Sequence, residues 1–477
     1  MTAPLWTPHD LVAATGGRLV GDMGPASGVS IDTRTLEAGD LFFAIKGDVH
    51  DGHGFVRQAL AKGAAVAVVA QERAAEFEGT GTLLVVPDVL AAMAALGIAA
   101  RARSRARIVA VTGSVGKTGT KEALRLAFER LGPTHASVAS YNNHWGVPLT
   151  LARMPAEAAY GVFEIGMNHA GEIAPLTRMV RPQVAIITTV EPVHIEFFPS
   201  IAAIADAKGE IFAGIEPGGV AVLNRDNPQF ERVRAHALAS RAGSILTFGE
   251  HAEADVRAER IVLHGNGSAV EARVLGEPVM YRLGAPGRHV VMNSLSVLAA
   301  IKAVGGDLAL GALALSEVSA PAGRGERISL EMGDGAFVLV DEAFNANPAS
   351  MRAALANLAA AKPGPRGRRV AVLGDMLELG PTGPALHRDL AEAVTASGAD
   401  LVFAAGPLMR NLVEVLPPDR RGGYAATAAE LEDMVLGNVR AGDVVMVKGS
   451  KGILVSRIVK ALKDRYPPAQ ERQAAKG

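Results

Sequence analysis

Apolar residues fall along this chain in short buried runs, each closed by Gly, Asp or Pro and most followed by a stretch of helical periodicity. In residues 1–87 the runs GVSID, DLFFAI, AAVAVV and TLLVVP read as strands, with a helix at FVRQALAKGA. An Ala-rich helix then opens a second block, residues 88–320. The strand RIVAVT runs into a Gly loop and the helix KEALRLAFERL, and further strands follow at YGVFEIG, QVAIITTV, GVAVLN and SILTFG. Buried strands alternating with helices predict a mostly parallel sheet covered on both faces. ADVRAERIVLHGNGSAVEARVLG alternates about a GNG turn and predicts an antiparallel hairpin added to it. Residues 321–477 show FVLVDE, RRVAVLGD, DLVFAAG and DVVMVKG, a second doubly wound unit, and the tail after about residue 466 reads as disordered. The fold class is thus α/β in three domains.

Composition narrows the function. At 477 residues the chain exceeds one hydrophobic core, and 49% apolar with 20% charged residues is ordinary globular composition. A formal net charge of −1 argues against a general nucleic-acid binder. The absence of cysteine excludes disulfides, thiolate metal sites and cysteine nucleophiles. The N-terminus has no basic start and carries Asp10. The apolar stretch Val89–Ala100 ends at Arg101, too short to cross a bilayer. The expectation is a cytoplasmic protein with no membrane insertion.

The sharpest chemical signal is TGSVGKT, residues 112–118, between a buried strand and a helix. Thr112, Gly113, Ser114, Val115 and Gly116 can wrap backbone N–H groups around one anion at a helix N-terminus. Lys117 can reach the β- and γ-phosphates, and the Thr118 hydroxyl can bind Mg²⁺. The alternative is an ordinary Gly-rich strand–helix turn. Val111 stands where the longer form of this motif has its first Gly. Three further residues draw notice. Taken singly, Glu164 reads as a cap or surface ion pair, His194 as a loop histidine and Lys208 as a solvated helix lysine. Together, near strand ends, they form a set that suits Mg²⁺ or Mn²⁺.

The shortened loop and the motifs around it resemble the Mur ligase family. SIDTRTLEAGDLFFAIKGDVHDGHGFV, TGSVGKTGTKE, YNNHWGVPLTL, EIGMNHAGEI, ADAKGEIF, PGRHVVMN, GRGERI, VDEAFNANPASM, VLGDMLELG and VKGSKG follow in that family's order. The resemblance is closest to members that add a dipeptide, and no D-[ND]-P-R motif of the diaminopimelate-adding relatives is found in the C-terminal block. It implies an N-terminal UDP-substrate domain, a central phosphate-loop ATPase domain and a C-terminal Rossmann-like domain. It implies ATP and two Mg²⁺ ions, with Mn²⁺ able to substitute. Thr118 with Glu164, and Glu164 with His194, would hold the metals, and Lys208 falls where the family carries a carbamate. Lys117, Glu164, His194, Lys208 and Arg324 would be catalytic, with Arg324 on the γ-phosphate. His289 and Asn293 would face adenine, beside Val290 in place of the family's Asn, and Asp341 would bind ribose. Ser30, Thr33 and Arg34 would contact the UDP-sugar. Asn142, Asn143, Asn345 and Asn347 would lie on the substrate side. The partners implied are UDP-N-acetylmuramoyl-tripeptide and D-alanyl-D-alanine, handled by a monomer with no nucleic acid. The rivals are a relative adding one amino acid, as folylpolyglutamate synthetase does, and a nucleotide-controlled binding protein without catalysis.

Overall fold

A computed structural model describes residues 4–47, 49–193, 195–333 and 335–469. Among these the strands form three sheets. The first holds β1 (Arg18–Val20), β2 (Gly28–Ser30), β3 (Asp40–Phe43), β4 (Val66–Ala70) and β5 (Leu83–Val86), in the order β1-β5-β4-β3-β2. The β3 and β5 residues are all buried, as expected of parallel strands covered on both faces. Only β1, an edge strand the sequence did not reveal, runs antiparallel.

The second sheet holds β6 (Arg107–Thr112), β7 (Thr134–Ala136), β8 (Tyr160–Glu164), β9 (Val184–Ile187), β10 (Val220–Asn224) and β11 (Ser244–Gly249). It continues through β12 (Val256–His264), β13 (Gly267–Val274) and β14 (Glu277–Leu283), in the order β14-β13-β12-β11-β10-β9-β6-β8-β7. The strands from β7 to β12 are parallel, and the expected hairpin gains a third antiparallel strand, β14. Because β6 is followed by β7 and β8 on one side and β9 on the other, the crevice at its C-terminal end is a topological switch point.

The third sheet holds β15 (Glu326–Met332), β16 (Gly335–Glu342), β17 (Arg369–Gly374), β18 (Leu401–Ala405), β19 (Arg421–Ala425) and β20 (Val444–Lys448), ordered β15-β16-β20-β17-β18-β19. Here the expected disordered tail is corrected in part. Glu331 N donates to Pro467 O at 2.9 Å and Ala469 N to Ser329 O at 2.8 Å, so residues 467–469 lie along the open edge of β15. An edge strand offers unpaired backbone groups, and even a Pro-Pro segment can supply acceptors to it.

The Ala-rich helix Val89–Arg103 does more than open the central block. It is apolar around its circumference, and its buried Val89, Met93 and Leu96 share a core with Phe43 and Val66 of the N-terminal sheet and Leu11 of the helix Pro8–Thr15. Its other side meets the helix Gly146–Ala152, where Gly97 leaves room: a Cβ there would stand 3.0 Å from Pro148 O. Asp88 caps its start, accepting from Ala91 N at 2.8 Å. At its end the buried Arg101 donates to Val180 O at 2.7 Å and Arg181 O at 2.8 Å.

Candidate active site

The turn leaving β6 is shaped by two glycines. Gly113 has φ +150°, and a Cβ there would lie 1.9 Å from Thr188 Oγ1, so the chain passes tightly over the end of β9. The same hydroxyl donates to Val115 O at 2.6 Å, and Ser114 N donates to Thr189 O at 2.9 Å. Gly116, at φ +86°, lies against Asn293, whose Nδ2 would be 2.6 Å from a Cβ. The helix Lys117–Glu129 then begins, its first N–H groups lacking helical partners. Lys117 folds back on the loop, Nζ donating to Gly113 O at 2.7 Å. Thr112, by contrast, is fully buried and stands outside the cavity wall; its carbonyl accepts from Thr188 N at 3.0 Å.

This loop forms one wall of a cavity of about 670 Å³ between the central and C-terminal domains. Glu164 ends β8, level with Val111 of β6, and is 1% exposed. Its Oε2 accepts from Thr118 Oγ1 at 2.9 Å and its Oε1 from Asn142 Nδ2 at 2.6 Å. Both donors are neutral, so this buried carboxylate is hydrogen-bonded without a cation in direct contact among the described residues. Lys208 is 2% exposed, and its side-chain amine makes no hydrogen bond among the described residues. Burial, then the Lys117 charge, holds its amine well below the usual lysine range. Burial also lowers Lys117, against the pull of Glu164. The charges of Lys117 and Arg324 therefore both bear on this one carboxylate, a cationic excess suited to polyphosphate. His194 lies outside the described residues. Among those described, no three His, Cys, Asp or Glu side chains converge on a metal position.

The C-terminal domain supplies the opposite wall. Arg324 lies over the Phe344 ring at 3.9 Å and donates from Nη2 to Ser140 Oγ at 3.2 Å, crossing the domain boundary. His289, Val290 and Asn293 line the cavity at the start of the helix Arg288–Ala303. Asn142, Asn143, Asn345 and Asn347 line it too, although three are engaged locally, with Asn345 Oδ1 accepting from Ala346 N at 2.9 Å. Asn143 Oδ1 accepts from Gly146 N at 3.0 Å, and Asn347 caps the helix Pro348–Ala360 in a reciprocal pair with Ser350. Asp341 departs from its expected place. On β16, Val340 and Glu342 face the cavity, so by strand alternation Asp341 faces away, with Lys463 at 3.9 Å. Burial raises its pKa.

The N-terminal residues form a separate group outside this cavity. Ser30 is buried and closes a turn with Asp32, its Oγ donating to Asp32 O at 3.1 Å. Thr33 Oγ1 donates to Gln58 Oε1 at 3.1 Å. Arg34 is exposed and paired with Asp32 at 2.6 Å. Across the boundary, Arg153 Nε donates to Val29 O at 2.6 Å.

Sequence reasoning did not single out Ser140, Lys121, Arg327, Glu342 or Lys448. The last two carried a usable signal: each is a charged residue closing a buried strand, as Glu164 does. Lys448 is 3% exposed, donates to Asn345 O at 2.9 Å and pairs with Glu342 at 3.4 Å.

A phosphate loop, a buried carboxylate beside it and cations delivered from a second α/β domain make up a nucleotide site of the kind an ATP-dependent ligase assembles between domains. Comparison with known proteins agrees. The Mur ligase middle domain matches residues 111–301, the Mur ligase, glutamate ligase domain residues 323–451, and the Mur ligase family, catalytic domain residues 25–117. The chain belongs to the Mur ligase family. The UDP-N-acetylmuramoyl-tripeptide–D-alanyl-D-alanine ligase of Escherichia coli (strain K12) is 33% identical over 461 residues, covering 96% of this chain and 98% of that protein. The ligase of the same description from Bacillus subtilis (strain 168) is 31% identical over 439 residues, covering 91% and 93%. A crystal structure of MurF from Acinetobacter baumannii superposes with a TM-score of 0.82 at 30% identity, covering 96% of this chain and 99% of that one.

Proposed function

We infer that this chain is the ligase that joins D-alanyl-D-alanine to UDP-N-acetylmuramoyl-tripeptide, using ATP and forming the UDP-linked pentapeptide. One observation carries the reading. Loop residues Ser114, Val115, Gly116 and Lys117, with Glu164 and Arg324, come from different parts of the chain yet meet at one cavity, in a protein matching relatives of that activity over nearly its whole length.

The tripeptide's terminal carboxylate attacks the γ-phosphorus of ATP and ADP leaves. The amine of the dipeptide then attacks the acyl phosphate, and inorganic phosphate departs. Lys117 leaves its loop carbonyls to meet the phosphates, and Arg324 neutralises the transferring group from the C-terminal side. No side-chain nucleophile is required, and closure of the two domains over the cavity keeps water from the acyl phosphate. The donor set fits Mg²⁺: Glu164 is a hard, buried oxygen ligand that, among the described residues, is contacted only by neutral donors, with Thr118 beside it. On this reading Thr118, Glu164, His194 and Lys208 hold two ions, with Mn²⁺ an acceptable substitute. The metal supplies charge neutralisation at the phosphates. Burial holds the Lys208 amine well below the usual lysine range, which favours the neutral form that can add carbon dioxide and lose a proton to give a carbamate, an anionic oxygen ligand.

His289 and Asn293 hold the adenine side, and the group Ser30, Thr33 and Arg34 takes the UDP-sugar. Domain divisions stay near residues 87 and 320. The enzyme works as a monomer in the cytoplasm; no described helix is long and apolar enough to cross a membrane. The deciding assay combines UDP-N-acetylmuramoyl-tripeptide, ATP, Mg²⁺ and D-alanyl-D-alanine, with mass spectrometry of the product. Pentapeptide is expected. Phosphate release with single amino acids but not with the dipeptide would instead favour the one-residue relatives.

A further inference from the structure

Four polar groups link the C-terminal domain to the phosphate loop in a single chain. Arg324 Nη2 donates to Ser140 Oγ at 3.2 Å, Ser140 Oγ lies 3.1 Å from Thr118 Oγ1, and Thr118 Oγ1 donates to Glu164 Oε2 at 2.9 Å. Chemistry fixes the direction of every bond. A guanidinium only donates and an ionised carboxylate only accepts. Thr118 spends its one proton on Glu164, so Ser140 must give its proton to Thr118 and receive Arg324 on its lone pair. The two hydroxyls are thus aligned head to tail between a cation and an anion, an arrangement in which each bond polarises the next.

Ser140 is held where this requires. Lys121, on the phosphate-loop helix, is fully buried and donates to Ser137 O at 2.7 Å and Ala139 O at 2.8 Å, with Glu122 at 2.7 Å. At the second of those anchors Ala139 takes φ +53°, a conformation that L residues adopt only when their surroundings impose it. Two residues on, Asn142 holds the other oxygen of Glu164. A buried ammonium has therefore pinned a short, otherwise exposed loop so that its hydroxyl meets both domains.

We propose that Ser140 is a positioning residue that docks Arg324 onto the Thr118–Glu164 pair, and that Lys121 fixes the loop presenting it. The proposal rests on the ligase reading for its purpose. Any ligand that engages Thr118 and Glu164 redirects the Thr118 proton, and Ser140 passes that change to the C-terminal domain.

The natural chain has no cysteine, so spin labels can be placed cleanly. Leu238→Cys in the central domain and Val415→Cys in the C-terminal domain are both at exposed positions. Pulsed electron resonance without nucleotide should show a longer, broader inter-label distance in Ser140→Ala than in the parent. In the assay Ser140→Ala should lower kcat about tenfold, the loss of one charge-assisted hydrogen bond, with KM for the UDP-substrate changed less than about twofold. Lys121→Met should show the same split, and Ser140→Thr, which keeps the hydroxyl, should restore both readouts. An unchanged distance distribution and kcat in Ser140→Ala overturns the proposal. So does a loss confined to KM for the UDP-substrate, or a Ser140→Thr protein as impaired as Ser140→Ala. The distance measurement needs no substrate, so it can fail or succeed separately from the ligase reading.

Discussion

The turns that leave β6 and β17 share a plan but dispose of their polar groups in opposite ways. Each follows an internal strand of a mostly parallel sheet and has a glycine at the exit, Gly113 just after β6 and Gly374 as the last residue of β17. After β17 the Asp375 carboxylate and the next two backbone N–H groups are satisfied within the fold, before Leu377, Glu378 and Leu379 reach the edge of the same cavity. Asp375 is fully buried and accepts from Met409 N at 2.7 Å and Leu408 N at 3.1 Å. Met376 N donates to His387 Nε2 at 2.9 Å, and Leu377 N to Ser450 Oγ at 2.9 Å. After β6 the fold leaves a helix N-terminus open, a lysine resting on its own loop and a carboxylate without a cation in direct contact among the described residues. A glycine turn becomes a ligand site through what it leaves for the ligand to complete, and the glycines alone do not distinguish the two.

The contrast can be broken most forcefully at Lys117. Lys117→Ala should lower kcat by about a thousandfold or more while leaving KM for the UDP-substrate within about twofold and the melting temperature close to wild type. Near-normal turnover would remove the distinction between the turns. Asp375→Ala should do the reverse. Two buried N–H groups lose their acceptor, and about 3 kcal/mol of stability should disappear in urea unfolding, with kcat of the folded fraction nearly intact. A stable Asp375→Ala protein would mean the second turn is not held as described. Glu164→Gln keeps the shape but not the charge, so turnover should fall about a hundredfold with a weakened response to Mg²⁺ titration. A variant that responds to Mg²⁺ as the wild type does would count against the metal role.

The smallest effect concerns His387, whose Nδ1–H donates to Gly383 O at 2.7 Å while Nε2 accepts from Met376. That pattern requires the neutral ring, and burial lowers its pKa below the ordinary 6.5. Below about pH 6.5 the unfolded chain binds a proton that the folded one refuses, so stability falls as pH drops through that range. Comparing denaturation at pH 7 and pH 5.5, His387→Gln should show a shallower slope than wild type by about 1 kcal/mol. Equal slopes would show that this ring does not set the pH response of the turn.

The sequence made legible whatever is local in the chain. TGSVGKT carries its geometry within seven residues, and the fully buried strands announced themselves by unbroken apolar runs. It was mute on short or Gly-rich edges such as β1, β7 and β19, where three to five residues hold too little pattern. Ser140 and Lys121 were missed for a different reason. A serine in a loop and a lysine on a helix are solvated by default, and only tertiary packing turns one into a bridge and the other into a buried clamp. Asp341 erred by one position, since a strand presents alternate residues and the cavity takes Glu342.

The helix Val89–Arg103 belongs to one core that joins the N-terminal sheet to the helix Gly146–Ala152 of the central domain, and this has a thermal consequence. Melting the N-terminal sheet exposes the face of the helix that the sheet covers, and melting the central sheet strips away its partner helix Gly146–Ala152. Neither can be lost while the other stays whole. The third sheet meets the rest across a solvent-accessible cavity, with Arg324–Ser140 and Glu196 N to Glu378 O at 3.2 Å among the bonds that bridge it. Calorimetry of the free protein should therefore resolve two cooperative units where three domains are drawn, the first two unfolding together.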